Sequence, residues 1–177
     1  MKLVILDRDG VINYDSKQFI KSPAEWRPIP GSIEAIAKLS QAGYRVVLAT
    51  NQSGIGRGLF DMDTLNAIHD KMHRAVQAAG GRIDAIFYCP HPIDAGCRCR
   101  KPMPGMFERI ASCFNVDLTG TPAVGDSLRD LHVAAAMRAR PLLVLTGKGT
   151  QTMAEGGLPE GTLVFADLAA ATDHILS

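Results

Sequence analysis

Short apolar runs alternate along the chain with longer stretches in which apolar residues recur every three or four positions. The runs predict strands at residues 3–6, 46–49, 83–88, 122–124, 142–145 and 163–165. The periodic stretches predict helices at residues 32–43, 63–79, 104–114, 128–137 and 167–176, with Gly31-Ser32 as the N-cap of the first one. Strands that alternate with helices indicate an α/β fold with a doubly wound parallel sheet, which residues 1–177 form as one domain.

The composition narrows the partners that such a domain can have. Of the 177 residues, 46% are hydrophobic and 21% are charged, which is typical of a globular protein. The formal net charge of +1 gives no reason to expect nucleic acid or a membrane surface as a partner. No leader pattern precedes the first strand, and no apolar run approaches the ~18 residues of a membrane span. We therefore expect a cytoplasmic monomer that acts on a small molecule.

Two carboxylates, Asp7 and Asp9, follow the first predicted strand directly. Because alternate residues of a strand point to the same side, both can address one place beyond its carboxyl end. Open α/β sheets bind their ligands at that edge. Gly10 then allows the backbone to turn sharply. Asp and Gly are also common in plain turns, so this motif needs support from the rest of the chain.

Polar residues also follow three later strands: Thr50 after the second, Lys101 after the third, and Asp126 and Asp130 after the fourth. Parallel strands present their carboxyl ends at one edge of the sheet, so these residues are expected to converge. Several carboxylates in one cleft repel one another and favour a hard cation, for which Mg²⁺ is the natural choice. A lysine and a hydroxyl beside that cation indicate a site for a phosphoryl group.

A loop after the third strand carries four soft metal ligands within eleven residues: Cys89, His91, Cys97 and Cys99. Three thiolates and an imidazole predict a closed, structural Zn²⁺ site. Incidental cysteines are one alternative. A zinc ribbon that binds nucleic acid is another, which the single short loop disfavours. Arg100 and Lys101 follow the last ligand immediately, so the zinc is expected to fix where both side chains lie.

The four polar segments resemble, in order and at the matching strand ends, the motifs of the haloacid dehalogenase superfamily of phosphotransferases. The resemblance extends from Leu3 to about Leu145. It implies that Asp7 attacks phosphorus to become an aspartyl-phosphate. It implies that Asp9 protonates the leaving oxygen and later deprotonates the hydrolytic water. Mg²⁺ would be held by Asp7, Asp126 and the backbone carbonyl of Asp9.

The resemblance also assigns the other groups of the site. Thr50 and Lys101 would bind phosphoryl oxygens, and Asp130 would support either the metal or Lys101. The intervals between the motifs are already filled by the helices of the sheet, so no large cap domain is expected. The site would instead be covered by the loops at residues 12–30 and 89–100.

Within the superfamily, D-R-D-G at 7–10, T-N-Q at 50–52, the cysteine loop and C-R-K-P at 99–102 resemble one narrow branch. It includes D-glycero-D-manno-heptose 1,7-bisphosphate phosphatases and histidinol-phosphate phosphatases. The stretch 50–58 is similar to the heptose enzymes, which release the 7-phosphate in making heptose precursors for lipopolysaccharide or surface glycans. Cations at Lys17, Arg57, Arg100 and Lys148 suit a second phosphate. The residues expected to contact the substrate are Asp15, Thr50, Asn51, Gln52, Ser53, Arg57, Arg100 and Lys101.

Other interpretations remain open beside the heptose phosphatase. The chain could be a histidinol-phosphate phosphatase, a regulatory domain that binds phosphate without catalysis, or a receiver-like signalling domain. A dead site should have lost Asp7, Asp9 or Lys101, all of which are present, and a receiver domain needs no zinc loop. Outside the motifs, His69 and His73 are expected on a solvated or flanking helix face. Cys113 is expected to be a small buried apolar residue.

Overall fold

Six parallel strands form the sheet in the computed structural model of the chain, which describes residues 1–177. The strands are β1 Leu3–Leu6, β2 Arg45–Asn51, β3 Ala85–Cys89, β4 Pro122–Gly125, β5 Arg140–Val144 and β6 Leu163–Phe165. Their order across the sheet is β3-β2-β1-β4-β5-β6. The predicted α/β fold with a doubly wound parallel sheet is therefore confirmed.

Helices cover both faces of this sheet. They are α1 Ser32–Gln41, α2 Met62–Ala78, α3 Gly105–Phe114, α4 Leu128–Ala136, α5 Gly149–Glu155 and α6 Leu168–Leu176, with 3₁₀ turns at Pro23–Glu25 and Ile93–Ala95. Apolar residues of α1, α2 and α6 belong to a core cluster of 22 buried residues. Apolar residues of α3 and α4 belong to a second cluster of 13. The two clusters lie on opposite faces of the sheet.

The central strand β1 shows why the apolar runs become strands. Val4 and Leu6 belong to the larger core cluster, whereas Leu3 and Ile5 belong to the smaller one. Successive side chains of a strand point to opposite faces, so a strand with helices on both sides must be apolar at every position. All four residues are buried. The run therefore predicts both the strand and its place inside the sheet.

The strand order reverses beside β1, which pairs with β2 on one side and with β4 on the other. Such a reversal opens a crevice at the carboxyl ends of the two strands, because their connections leave in opposite directions. Asp7 follows β1 and Asp126 follows β4, so both lie at that crevice. Only helices and loops lie between the strands, and no inserted cap domain is present.

The structure departs from the sequence-based expectations at three places. Helix α5 was not predicted, because its seven residues are too few to display a helical period. Of the predicted cap pair, Gly31 is the N-cap residue of α1, whereas Ser32 is the first residue of the helix, and its hydroxyl donates to the carbonyl of Val11. Cys113 is exposed, because α3 directs that position away from the sheet.

No helix in the structure combines the length and the apolar character that crossing a membrane requires.

Candidate active site

A cavity of about 320 Å³ opens at the carboxyl edge of the sheet, lined by residues of two kinds. One group is buried or nearly so, and we call it the inner wall: Asp7, Asp9, Lys101 and Asp126. The other consists of partly or fully exposed cations, and we call it the cationic rim: Lys17, Arg57, Arg100, Arg129 and Lys148. Asp15, Ser16, Phe19, Asn51, Ser53 and Ile93 complete the lining.

Lys101 lies at the centre of the inner wall, and its side chain is only 3% exposed. Its Nζ donates to Ala49 O at 2.7 Å and to Asp130 Oδ1 at 2.6 Å, and it lies 3.1 Å from Asp7 Oδ1. These three partners match the three donors of an ammonium group. Burial lowers the pKa of Lys101, but Asp130 and Asp7 outweigh it and raise that pKa. Lys101 is therefore a fixed cation beside Asp7.

Asp130 lies behind Lys101 and does not line the cavity. Its Oδ1 accepts from Lys101, while its Oδ2 accepts from the backbone amides of Asp126 and Ser127. The Ser127 hydroxyl also donates to Oδ2. The amide of Ser127 donating to Asp130, and the amide of Asp130 donating to the Ser127 side chain, form a capping box at the start of α4. Burial raises the pKa of Asp130, but Lys101 and Ser127 outweigh it, so the pKa lies below its usual range. Both oxygens are thus used in positioning Lys101 and Asp126.

Asp7 and Asp126 meet across the crevice between β1 and β4, and their carboxylates lie within 4.8 Å of each other and of Asp130. Burial, followed by repulsion from Asp130, raises the pKa of Asp7 to about 7. Burial, then Asp130 and Asp7, raise the pKa of Asp126 to about 8. Lys101 does not offset this charge completely, and carboxylate oxygens are the ligands of a hard cation. The donor set therefore fits Mg²⁺.

The carboxylate of Asp9 has a separate environment. Its Oδ1 accepts from Arg8 Nε at 2.8 Å and from Asn13 Nδ2 at 3.0 Å, and its Oδ2 accepts from Gln52 Nε2 at 3.2 Å. Burial raises the pKa of Asp9, but the charge and hydrogen bond of Arg8 outweigh it and lower that pKa. Asp9 lines the cavity without joining the carboxylate cluster. The two aspartates of the motif thus differ in their pKa, which is raised for Asp7 and lowered for Asp9.

The residues after β2 divide between the cavity wall and the layer behind it. Asn51 lines the cavity, and its amide both donates to Lys101 O and accepts from Lys101 N, which ties that backbone to β2. Ser53 lines it as well. Thr50 and Gln52 are buried behind the wall, and Gln52 Nε2 donates to Thr50 Oγ1 at 2.9 Å. Contact of Thr50 with a phosphoryl oxygen stays a prediction.

The loop between β5 and α5 packs directly on the D-x-D-G turn. Thr146 Oγ1 donates to Gly10 O at 2.7 Å, and the backbone amide of Lys148 donates to Asp126 Oδ2 at 2.9 Å. Gly10 has a φ of +84°, and a β-carbon there would collide with the Asp126 carboxylate, so only glycine fits. From α5, Thr152 Oγ1 donates to Asp126 O at 2.7 Å. The unpredicted helix therefore supports Asp126 from behind.

The four predicted zinc ligands converge, and their ligand atoms all lie within 4.8 Å of one another. The sulfurs of Cys89 and Cys99 are 2.9 Å apart, and those of Cys89 and Cys97 are 3.6 Å apart. His91 directs Nδ1 towards them, 3.2 Å from the sulfur of Cys99. Three sulfurs and one imidazole nitrogen directed at one point fit a tetrahedral Zn²⁺ site.

The cysteine loop contacts the backbone next to two arginines of the rim, Arg100 and Arg57. The backbone amide of Arg100 hydrogen-bonds to the sulfur of Cys97. Gly56 approaches the loop closely, donating its amide to Pro90 O at 2.9 Å, and a β-carbon there would collide with Pro90 and Pro92. Arg57 follows directly. The cysteine loop therefore positions Arg100 through the hydrogen bond of its amide to Cys97, and Arg57 through the contact of Gly56 with Pro90.

The cationic rim has too few acidic partners. Arg100 Nη1 is buried with no hydrogen-bond partner, and burial followed by repulsion from Arg129 lowers the Arg100 pKa. The one salt bridge formed by a rim cation joins Lys148 Nζ to Asp15 Oδ2 at 3.7 Å. Buried or clustered guanidinium groups without partners are costly unless an anion pairs with them. The rim therefore fits a second anionic group of the bound molecule.

Several residues of this site were not predicted from the sequence. Arg129 lines the cavity, and its position three residues after Asp126, on the first turn of α4, could have indicated this. Phe19 also lines it, with its ring against Arg57 at 5.7 Å. Arg8 and His69 are buried behind Asp9 and in contact with each other. His69 was expected on a solvated or flanking face, and the structure corrects this.

Comparison with known proteins agrees with this geometry. Residues 2–129 match the polynucleotide kinase 3 phosphatase family, and residues 98–171 match the HAD-hydrolase-like family. A D-glycero-β-D-manno-heptose-1,7-bisphosphate 7-phosphatase of Bordetella bronchiseptica is 64% identical over 99% of this chain and 98% of its own length. A crystal structure of the B. bronchiseptica D,D-heptose 1,7-bisphosphate phosphatase with magnesium and phosphate superposes with a TM-score of 0.98, at 64% identity over 99% of this chain and 98% of that one. The corresponding Burkholderia thailandensis structure has a TM-score of 0.81, at 58% identity over 100% and 99% of the two chains.

Proposed function

We propose that this chain, which belongs to the HAD-like polynucleotide kinase 3 phosphatase family, removes the 7-phosphate of D-glycero-β-D-manno-heptose 1,7-bisphosphate. Within that family it belongs to the D-glycero-β-D-manno-heptose-1,7-bisphosphate 7-phosphatases. The observation that carries the proposal is the polarity of the cavity. Carboxylates and one lysine lie at its inner wall, and five cations lie at its rim. A molecule with a phosphate at each end fits both regions.

The 7-phosphate would react at the inner wall. Asp7, held by Lys101 and by the backbone amide of Arg8, attacks phosphorus and expels the sugar alkoxide. Asp9, which has to be protonated in the substrate complex for this step, gives that alkoxide a proton, and the resulting carboxylate later removes one from the water that hydrolyses the aspartyl-phosphate. Asp7, Asp126 and the backbone carbonyl of Asp9 would hold Mg²⁺, which when bound neutralises negative charge on the phosphoryl oxygens. Thr50, Asn51 and Ser53 complete the proposed phosphate contacts.

The phosphate at position 1 would meet the cationic rim. Arg57, Arg100 and Arg129 present guanidinium groups without carboxylate partners, and such groups bind phosphate through charge-assisted hydrogen bonds. Because that phosphate does not react, its binding energy can orient the one that does. Histidinol phosphate carries an ammonium group where the bisphosphate carries its second phosphate, and the rim repels it. The heptose substrate therefore fits better.

The setting of the enzyme follows from the cysteine loop and the charge. Thiolate ligands must stay reduced, which the cytoplasm ensures, so we place an enzyme with structural zinc in that compartment. We further propose that it acts as a monomer. The net charge is +1, and the unpaired cations that face the cavity serve a small anion. We propose neither nucleic acid nor a membrane as a partner.

A phosphate-release panel tests the proposed function. The purified protein with Mg²⁺ is given heptose 1,7-bisphosphate as both C1 anomers, the heptose 7-phosphate, and histidinol phosphate. We expect the highest kcat/KM for the bisphosphate, with release of one phosphate per sugar. Equal or faster hydrolysis of histidinol phosphate would overturn the substrate and leave the phosphatase chemistry intact. Hydrolysis of none of these esters would overturn both and favour a phosphate-binding role.

A further inference from the structure

A buried arginine stands between the two aspartates of the D-x-D motif. Arg8 is 0% exposed and, unlike the cations of the rim, does not line the cavity. Its Nε donates to Asp9 Oδ1 at 2.8 Å, and its Nη2 lies 2.8 Å from the same oxygen without hydrogen-bond geometry. A buried guanidinium is costly unless it is paired. Asp9 is the carboxylate that pairs with it.

The other side of this guanidinium meets a histidine of α2. Nη1 of Arg8 lies 3.1 Å from Nε2 of His69, whose residue is only 7% exposed. Arginine can only donate, so Nε2 must accept, and the proton of the neutral ring must be on Nδ1. Burial, followed by the charge of Arg8, lowers the pKa of His69 to about 3. His69 is thus a neutral acceptor that fixes the rotation of the guanidinium.

The hydrogen bonds on Asp9 are divided unequally between its two oxygens. Oδ1 accepts from both Arg8 and Asn13, whereas Oδ2 accepts only from Gln52 at 3.2 Å. Oδ2 is therefore the oxygen left free to exchange a proton with a molecule in the cavity. Its position depends on how Arg8 holds the opposite oxygen. Since a catalytic group displaced by about 1 Å can cost about 10²-fold in rate, this support matters for turnover.

We propose that Arg8 and His69 are positioning residues that hold Asp9 for proton transfer, and that α2 thereby acts on a site it does not line. The proposal rests on the proposed phosphatase function, in which Asp9 moves the proton. His69 touches neither substrate nor metal ligand, and it acts through Arg8 alone. The sequence predicts this histidine on a solvated or flanking helix face, 61 positions from Arg8, the residue it contacts.

Paired substitutions at His69 test the proposal. His69→Leu removes the acceptor, and we expect kcat to fall about 10- to 10²-fold with KM changed by less than about twofold. His69→Gln keeps an acceptor oxygen and should restore most of kcat. His73→Leu is the matched control, one turn further along the same helix, and should leave kcat unchanged. Equal kcat for His69→Leu and the unaltered protein would overturn the proposal.

A double-mutant cycle separates positioning from a general loss of packing. Asp9→Asn alone should lower kcat about 10²- to 10⁴-fold. In that background His69→Leu should have no further effect on kcat, because the carboxylate it positions is gone. The same fractional loss in both backgrounds would overturn the proposal. Any phosphate ester that the unaltered enzyme hydrolyses serves for this comparison, so the result does not depend on the heptose substrate.

If His69→Leu does not fold, nitrogen NMR of the unaltered protein decides. We expect the His69 ring to be neutral between about pH 5 and 8 with its proton on Nδ1, since Arg8 occupies Nε2. A ring that carries its proton on Nε2, or that becomes charged in this range, would overturn the Arg8 contact and the proposal with it. This measurement needs no activity, so it holds even if the phosphatase function fails.

Discussion

The inner wall and the cationic rim belong to one cavity, yet they differ in how completely their charges are paired. At the inner wall, all three donors of Lys101 have acceptors, and Asp9 accepts hydrogen bonds from three side chains. At the rim, only one of the five cations, Lys148, forms a salt bridge, with Asp15. The wall therefore holds the groups proposed for catalysis in place before any ligand arrives, as electrostatic preorganisation requires. The rim has cations without carboxylate partners, which can pair with an anionic group of a bound molecule.

The difference follows from which elements supply each region. The inner-wall residues directly follow β1 and β4, or are fastened to β2 through Asn51, so the sheet fixes their backbone. Four of the rim cations, Lys17, Arg57, Arg100 and Lys148, lie on loops, and two of these are fastened through the cysteine loop. The groups proposed for catalysis are thus fixed by the strands, and the groups proposed to select the substrate lie mostly on loops.

The largest expected effect is at the inner wall. Asp7→Asn removes the nucleophile, and we expect kcat to fall by more than about 10⁴-fold while the fold persists, since the amide occupies the same volume. Phosphate release measures kcat, and circular dichroism measures whether the fold persists. Asp117→Asn, an exposed aspartate outside the cavity, is the matched control and should keep full activity. Near-normal hydrolysis by Asp7→Asn would mean that no aspartyl-phosphate forms.

The rim should respond more weakly and only to a second phosphate. Arg100→Ala should lower kcat/KM for the bisphosphate about 10- to 100-fold, since a hydrogen bond to a charged group contributes about 1.5–3 kcal/mol. A monophosphate should lose little. Arg98→Ala is the control, because Arg98 pairs with Glu108 outside the cavity. Equal losses for both substrates would show that Arg100 belongs to the inner wall in function.

The cysteine loop should affect the rim more than the inner wall, because Asn51 also fastens the backbone of Lys101 to β2. Cys97→Ala should release about one zinc per chain, measured by elemental analysis, and lower kcat/KM for the bisphosphate about 10-fold through displacement of Arg57 and Arg100. Cys113→Ala, which removes the cysteine outside the cluster, should retain both zinc and activity. Freshly isolated protein without zinc but with full activity would refute the zinc assignment.

The smallest expected effect is the change in the free energy of unfolding with pH that the inner-wall carboxylates cause. The pKa of Asp7 is raised from 3.8 to about 7 and that of Asp126 from 3.8 to about 8. Between about pH 4 and 8 the unfolded chain therefore binds fewer protons at these groups than the folded one, so their contribution to the free energy of unfolding falls as pH rises. Thermal unfolding in Mg²⁺-free buffer should show a lower Tm at pH 8 than at pH 5. Added Mg²⁺ should reduce the difference in Tm between pH 5 and pH 8, and Asp126→Asn should reduce it as well. If neither change alters the dependence of Tm on pH, the raised pKa values of Asp7 and Asp126 are not its cause.

Local patterns were sufficient to predict the parts of the site that lie at strand ends. The apolar run 3–6 predicts β1, and the parallel arrangement then brings Asp7, Lys101 and Asp126 to one edge without further information. The zinc ligands were predictable for the same reason, because all four lie within eleven residues of one loop. In each case the residues that meet are set by a strand direction or by a short chain segment.

Tertiary structure alone decided how those residues are partnered. Nothing local indicates that Arg8 turns away from the cavity towards His69, that Thr50 lies behind the wall, or that α5 supports Asp126. These arrangements depend on how helices pack against the sheet, and they join positions far apart in the sequence. The sequence by itself determined the fold, the convergence of the aspartates at one edge of the sheet and the clustering of the cysteine loop, since period and strand direction are encoded locally. Packing determined which charges are paired and which remain free for a substrate, because burial and long-range contacts set the cost of every charge.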